Sequence, residues 1–289
     1  MRRNSRIGLL MSAAVLAGLS YASAQEKKVR LATDGNYPPF NFTDPSGKVI
    51  GFEVDLAGEL CKRAKLSCDW VTQSFDGMIP GLNASRFDAI MASLSITEKR
   101  AESIDFSLPY YGGPTQFVSA AGSAISKMDA GKGQTLDLRE MTEDKKKTLA
   151  EIAKSLASAT VGVERASTHA TFMQQLFPEV KVRIYDKEES LYLDLVSGRI
   201  DMVVSGFSPI RNFIERQKKE SRDFVVFGPA LRGGALGKGV ALGFRKNERE
   251  LRELFDRAIA EATQDGTVTS LTQKWMGFDG AVRPVAANP

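Results

Sequence analysis

The chain has 289 residues, with 39 Lys and Arg against 35 Asp and Glu, one His, two Cys and 43% hydrophobic residues. Its near-balanced charge argues against nucleic acid as a partner, which wants a clustered basic surface. One histidine excludes a paired-histidine metal site, and neither a metal nor a cofactor is expected.

In chain order, Arg2, Arg3 and Arg6 precede an apolar run over 7–19, and Ala22-Ser23-Ala24 stands just before the polar Gln25-Glu26-Lys27-Lys28. This is the pattern of a secretory signal peptide, too short for a membrane span and ending in a small-x-small cleavage site. Residues 1–24 are therefore expected to be removed. Losing three arginines takes the formal charge from +4 to +1, and 265 residues of the 289 remain. That length suits one large α/β domain or two modest ones. Both cysteines lie well inside the mature chain, so no lipid anchor is expected.

Residues 29–33 read as a short buried strand running into the turn-rich Asp34-Gly35-Asn36-Tyr37-Pro38-Pro39-Phe40. Phe52, Leu56, Leu60 and Ala64 then recur at helical spacing, so Cys61 falls late on an amphipathic helix and Cys68 just before a strand over 69–72. In an exported chain this pair is expected to form a disulfide worth about 2 kcal/mol.

The stretches RFDAIMASLS (86–95) and RIDMVVSGFS (199–208) echo each other, each following an amphipathic helix and continuing as a strand. A strand over 161–163 with its loop over 164–169 likewise repeats the opening strand and loop. The two halves carry the same order of parts, which predicts two α/β lobes. Residues 114–118 read as an extended crossing and the glycine-rich 233–243 as the return, glycines easing the backbone changes of a hinge. Helices are expected over 248–263 and 267–275. The polar segment 127–158 offers one apolar stripe, Leu149, Ile152, Ala153 and Leu156, with Lys145-Lys146-Lys147 on a solvated face.

Ligands of open α/β sheets bind beyond the carboxyl ends of strands, where loops and helix starts present N–H groups. MASLSITEKR (91–100) fits that place: Ser93 and Ser95 offer hydroxyls, and Arg100 offers a two-pronged bond to a carboxylate. The alternative is a capping box of Ser95 and Glu98, with Arg100 a surface charge. Asp34 could hold a cation at the far end of the same crevice. Tyr37 and Phe75 either flank an aliphatic chain between the two charges or belong to the core. Glu164, Arg165, Ser167, Thr168 and His169 occupy the equivalent loop of the second lobe, and His169 lacks the nucleophile partner a catalytic base would need.

GFEVDLAGELCKRA (51–64), with ATDGNYPPF, SFDGMIPGL, SLSITEKR and DGTVTSLTQKWMG, resembles the family 3 extracellular solute-binding proteins, which deliver polar amino acids to ABC importers. The likeness spans nearly the whole mature chain. It implies an α/β, two-lobed periplasmic binding protein of the type II Venus-flytrap kind with a two-strand hinge. Residues 25–112 and 243–280 would form lobe 1, 119–236 lobe 2, 113–118 and 237–242 the hinge, and 281–289 a tail. The resemblance further implies a periplasmic monomer that is not an enzyme. Its partners would be a small-molecule amino acid or opine and the membrane permease of an ABC importer.

Carried over by position, Arg100 would clamp the ligand α-carboxylate with help from Ser95 and Thr168. Asp34 would face a cationic side-chain end, Tyr37 and Phe75 would sandwich the aliphatic stem, and Ser93 would take the amino group. The lysine/arginine/ornithine- and histidine-binding members share the Cys61–Cys68 pair. The nopaline- and octopine-binding members share the longer segment before Val161 and the Ser-Thr-His-type loop. One departure stands out: where cationic amino-acid binders place an aspartate against the α-ammonium, this chain has Gly206, and an unbalanced buried ammonium is costly. Either Glu164 substitutes, or the ligand carries an N-substituted amine, as opines do, with Arg165 either meeting a second carboxylate or pointing to solvent. Arginine, lysine, ornithine, histidine, octopine and nopaline are thus the expected ligand set. The alternatives on the same fold are a cyclohexadienyl dehydratase-like enzyme and a ligand-presenting partner of a sensor domain.

Overall fold

A computed structural model describes residues 27–282. The expected leader, 1–24, and residues 283–289 of the expected tail lie outside the described residues. The chain opens with β1 (Lys27–Thr33), three short strands β2 (Asn36–Tyr37), β3 (Asn41–Thr43) and β4 (Val49–Ile50), then α1 (Phe52–Ala64) and β5 (Leu66–Thr72). It continues through α2 (Met78–Asn83), β6 (Ala89–Ile90), α3 (Glu98–Ala101) and β7 (Asp105–Phe106). After a crossing come β8 (Thr115–Ala120), β9 (Thr135–Asp137), α4 (Glu143–Leu156), β10 (Thr160–Glu164), α5 (Thr168–Leu176), β11 (Lys181–Tyr185) and α6 (Glu188–Val196). The second half closes with β12 (Met202–Gly206), α7 (Phe207–Lys219) and β13 (Phe224–Arg232), before β14 (Gly243–Phe244), α8 (Arg249–Gln264) and α9 (Thr267–Met276) return to the first.

Among the described residues each lobe has one large sheet, and β2-β3-β4 form a small third sheet after β1. The large sheet of lobe 1 has the order β5-β1-β6-β14-β7 and that of lobe 2 β11-β10-β12-β8-β13-β9. In each, a parallel core (β5-β1-β6 and β11-β10-β12) is extended by antiparallel strands, β14 on β6 and β8 on β12. Parallel strands covered on both faces are apolar throughout, which explains why Leu31, Ala89, Ile90, Val161, Val163, Met202 and Val203 are all buried. In lobe 1, Phe52, Leu56 and Leu60 of α1 pack with Leu251, Phe255 and Ile259 of α8 on one sheet face. Met78, Leu82, Phe87 and Ile104 fill the other face. Lobe 2 repeats the arrangement, with Leu149, Ile152 and Leu156 of α4 on one side and Leu191, Leu195, Ile210 and Phe213 on the other.

Local signals account for the boundaries. α1 carries Glu53 and Asp55 in its first turn and Lys62 and Arg63 in its last, matching the helix dipole, and ends at left-handed Lys65. Cys61 and Cys68 form a disulfide with Cα atoms 6.2 Å apart. Cys68 lies inside β5 rather than ahead of it, so the bridge fastens the end of α1 to an edge strand that starts earlier than its periodicity suggests. Replacing both cysteines by serine is expected to cost about 2 kcal/mol, because the closed loop is short. Denaturant midpoints of the two forms check this, and a loss below about 0.5 kcal/mol, the range of an ordinary surface substitution, would contradict it. Lys145 is not on an open face as expected: its ammonium donates to the Asp137 and Glu140 carbonyls at 2.7 and 2.8 Å. Among the described residues no helix is long and apolar enough to cross a membrane.

Candidate functional site

The parallel strands of both sheets end at one crevice. Asp34 follows β1, Ser93 follows β6, Glu164 ends β10 and Gly206 ends β12, and all four line a cavity of about 520 Å³ between the lobes. Tyr37, Phe75, Ser95, Arg100, Thr168 and His169 line the same cavity, so the ten residues singled out from sequence are brought together. That volume is ordinary for a small-molecule site.

Arg100 sits in α3, whose start is capped by Thr97: its hydroxyl accepts from the Arg100 N–H at 3.2 Å. The alternative capping box of Ser95 and Glu98 is thus not formed, the cap lying two residues later. The guanidinium donates to the Ser95 carbonyl at 2.9 Å and, across the crevice, to the Ala166 carbonyl at 3.0 Å, while lying 5.5 Å over the Phe75 ring. Two carbonyls and one aromatic face fix the fork without neutralising it. Burial lowers its pKa to about 10, with Glu164 acting the other way, so it stays cationic at neutral pH.

Asp34 is held by its backbone. Its carbonyl accepts from Asn36 Nδ2 at 2.7 Å, and Gly35, at φ 65°, donates to Asn41 Oδ1 at 3.0 Å. The Asp34 carboxylate is 6% exposed, and its Oδ1 is buried with no hydrogen-bond partner among the described residues. Burial, reinforced by the nearby Glu53 carboxylate, pushes it up to about 7. A buried acceptor of that kind is stabilised by any cation placed against it.

On the facing lobe, Ser167 caps α5, its hydroxyl accepting from Ala170 N–H at 3.1 Å, so the helix start with Thr168 opens on the cavity. Ala166 beside it adopts φ 58°, a left-handed conformation that a non-glycine residue holds only under local constraint. Burial, and then Arg100, hold the His169 ring down to about 4, leaving it neutral. Glu164 is raised well above the carboxylate range by burial and by Asp34 and Glu188, while Arg100 opposes the rise.

At Gly206 a Cβ would lie 3.2 Å from the Tyr37 hydroxyl and 3.5 Å from Pro209 Cδ. A side chain there would press on Tyr37, whose Oη reaches 3.3 Å from Ser205 Oγ in the opposite lobe, and would need it to shift by a few tenths of an ångström. Tyr111 Oη makes a second such bond, 2.9 Å to Ser208 Oγ. With the Arg100–Ala166 bond, these contacts hold the lobes together around the cavity. Arg165 does not line it and takes the solvent-facing alternative. Its guanidinium pairs with Asp186 at 2.7 Å on the exposed surface, so no second-carboxylate role falls to it.

Sequence reasoning missed Glu53, Glu188, Ser205 and the Tyr111–Ser208 pair. Glu53 and Glu188 stand at the first turns of α1 and α6, where acidic residues are ordinary complements to the helix dipole. Their fully buried carboxylates are visible only once the lobes are assembled.

Residues 29–278 match the family described as bacterial extracellular solute-binding proteins, family 3. The octopine-binding periplasmic protein of Rhizobium meliloti is 35% identical, over 95% of this chain and 98% of its own length. The lysine/arginine/ornithine-binding periplasmic protein of Escherichia coli is 32% identical, over 93% and 97%. Among solved structures, a periplasmic His/Glu/Gln/Arg/opine family-binding protein from Silicibacter pomeroyi in complex with lysine superposes with a TM-score of 0.70 at 28% identity, covering 88% of this chain and 100% of that one. The architecture and the crevice agree with what those matches require, and the chain belongs to the family 3 bacterial extracellular solute-binding proteins.

Proposed function

We propose that this protein is the periplasmic binding component of an ABC importer, and that its ligand is a cationic amino acid such as arginine, lysine, ornithine or histidine, or an opine derived from one. The observation that carries the reading is the layout of the cavity: one fixed guanidinium, Arg100, shares it with two acidic side chains, the buried Asp34 and the half-buried Glu164. A ligand with one carboxylate and cationic nitrogen complements that layout, and an uncharged side chain would leave Asp34 Oδ1 unpaired.

In this reading Arg100 and the start of α5 at Thr168 take the α-carboxylate, with Ser95 holding the fork. Phe75 and Tyr37 flank the stem, Asp34 meets the cationic end, and Ser93 and Glu164 receive the amino group. His169 contributes a neutral wall. Ligand touches both lobes only when they are closed, so binding shifts the population toward the closed form, and the permease would recognise that shape. The hinge would run through 113–118 and 237–242, near Val240, which bridges to both Ser95 and Tyr111. The mature protein would act as a monomer, released to the periplasm by removal of residues 1–24.

Calorimetric titration with arginine, lysine, ornithine, histidine, octopine and nopaline tests the reading, and tight binding of an uncharged amino acid alone would overturn it. The pH dependence adds a signed expectation. Asp34 titrates at about 7, so below that pH a cation must first displace its proton, whereas above it the carboxylate is already ionised. Arginine is accordingly expected to bind about tenfold more weakly at pH 6 than at pH 8 through this group. Asp34→Asn should bind weakly at both pH values, and an undiminished affinity at pH 6 in the unaltered protein would contradict the assignment.

A further inference from the structure

We propose that Glu188 is a specificity-determining residue that acts through Ser205 and Tyr37, turning the Tyr37 hydroxyl into a hydrogen-bond acceptor for a ligand ammonium beside Gly206. The inference rests on the proposed cationic amino-acid ligand and names the group that answers its α-nitrogen.

Glu188 opens α6 and is 3% exposed. Its Oε1 accepts from Ser205 Oγ at 2.6 Å, and Ser205 Oγ is 3.3 Å from Tyr37 Oη, which reaches it from the other lobe. Glu188 itself is set back from the cavity wall, whereas Tyr37 is on it. Among the described residues no cation forms an ion pair with Glu188, so this is a buried carboxylate whose hydrogen bonds lead toward the ligand.

The proton directions along the chain follow from the donor inventory. An ionised Glu188 only accepts, so the Ser205 proton must point at it. Ser205 then has only lone pairs for Tyr37, so the Tyr37 proton points at Ser205. What remains toward the cavity is the lone-pair side of the Tyr37 oxygen, an acceptor for an ammonium N–H. A protonated Glu188 allows the opposite polarity: Glu188 donates to Ser205, Ser205 to Tyr37, and the Tyr37 hydroxyl turns its hydrogen to the cavity, where it repels a cation. The acceptor that an aspartate would have supplied at Gly206 is thereby oriented from α6, the negative charge itself staying on Glu188.

The groups around Glu188 set its starting state. Tyr192 lies one turn along α6, Arg216 on α7 favours the ionised form, and Asp34 from lobe 1 opposes it, while Tyr37 and Glu164 also feel its charge. Burial outweighs the rest and holds the carboxyl up at about 8. Ligand arrival should therefore ionise Glu188, its proton passing to the buffer, with no covalent change.

The test compares the unaltered mature protein with Glu188→Gln, Tyr37→Phe and the double variant. The probes are L-arginine and its α-hydroxy analogue, which keeps the guanidinium and carboxylate and lacks the α-ammonium. Titrations at pH 7 in two buffers of different ionisation enthalpy count the protons released. Expected are a loss of about tenfold or more in arginine affinity for Glu188→Gln, little change for the hydroxy analogue, fewer protons released, and a double variant no weaker than the weaker single one. Equal losses for both probes, or unchanged proton release with additive losses, would overturn the relay while leaving the ligand class intact. Failure of the unaltered protein to bind arginine or octopine would instead remove the ligand reading and the relay with it. Tyr37→Phe keeps the question open to refutation should Glu188→Gln fail to fold.

Discussion

Arg100→Ala is expected to weaken binding of a cationic amino acid by two to three and a half orders of magnitude while leaving the unliganded fold nearly as stable as before. The affinity loss follows from taking one partner out of a buried ion pair, about 3–5 kcal/mol, with each 1.4 kcal/mol a factor of ten. The small effect on stability follows from what surrounds the guanidinium. Its direct partners are the Ser95 and Ala166 carbonyls and the Phe75 ring rather than a carboxylate, and burial already disfavours its charge. Removing it relieves that cost and exposes two carbonyls to water, so unfolding should shift by no more than about 1 kcal/mol. Arg100→Lys keeps the charge and loses the planar fork, and should fall between the two. Titration and thermal melts of the three proteins decide the matter. Retained affinity in Arg100→Ala, or a collapse of its melting temperature, would show that the side chain is structural.

The contrast between Arg100 and its neighbours indicates what a one-dimensional reading can reach. The strand-end positions were legible because they are local: an apolar run stops, a polar loop follows, and Asp34, Ser93 and Glu164 stand at fixed places relative to that stop. The helical spacing of Phe52, Leu56 and Leu60 likewise marks a buried face without reference to what covers it. Partners distant in sequence were not legible. Tyr37 and Ser205 are 168 residues apart, and Tyr110 meets Glu53 across 57, so no periodicity joins them. Gly206 was recognisable as a missing charge, but the group that crowds a side chain there, the Tyr37 hydroxyl, comes from the opposite lobe. Arg165 was left between cavity and solvent for the complementary reason. Its position in the loop is local information, but the partner that turns its side chain outward, Asp186, is twenty-one residues on.

Glu53→Ala is expected to destabilise the protein by about 3–5 kcal/mol, the largest stability effect predicted here, although Glu53 is outside the cavity lining. Its buried carboxylate accepts from the Ser93 N–H at 2.7 Å, from Asn41 Nδ2 at 2.6 Å and from the Tyr110 hydroxyl. Truncation leaves three buried donors unpaired, each costing about 1–3 kcal/mol before relaxation. One of those donors, Ser93, lies in a cavity-lining loop, and another, Asn41, opens β3 and braces the loop of Asp34. Ser93 holds φ 50°, a conformation its N–H bond to Glu53 helps fix, and Asn41 uses its Oδ1 to bind Gly35 N–H next to Asp34. Glu53→Gln isolates the directional part of the argument. With its oxygen toward Ser93 and Tyr110, the new amide turns an NH₂ against the Asn41 NH₂, and rotating Asn41 to relieve that withdraws its oxygen from Gly35. The glutamine variant should therefore lose about 1–3 kcal/mol and bind arginine more weakly, with faster amide exchange at Gly35 and Ser93. Denaturant unfolding that placed Glu53→Ala within about 1 kcal/mol of the unaltered protein would mean the three donors find water, and that the Asp34 and Ser93 loops hold their shape without this carboxylate.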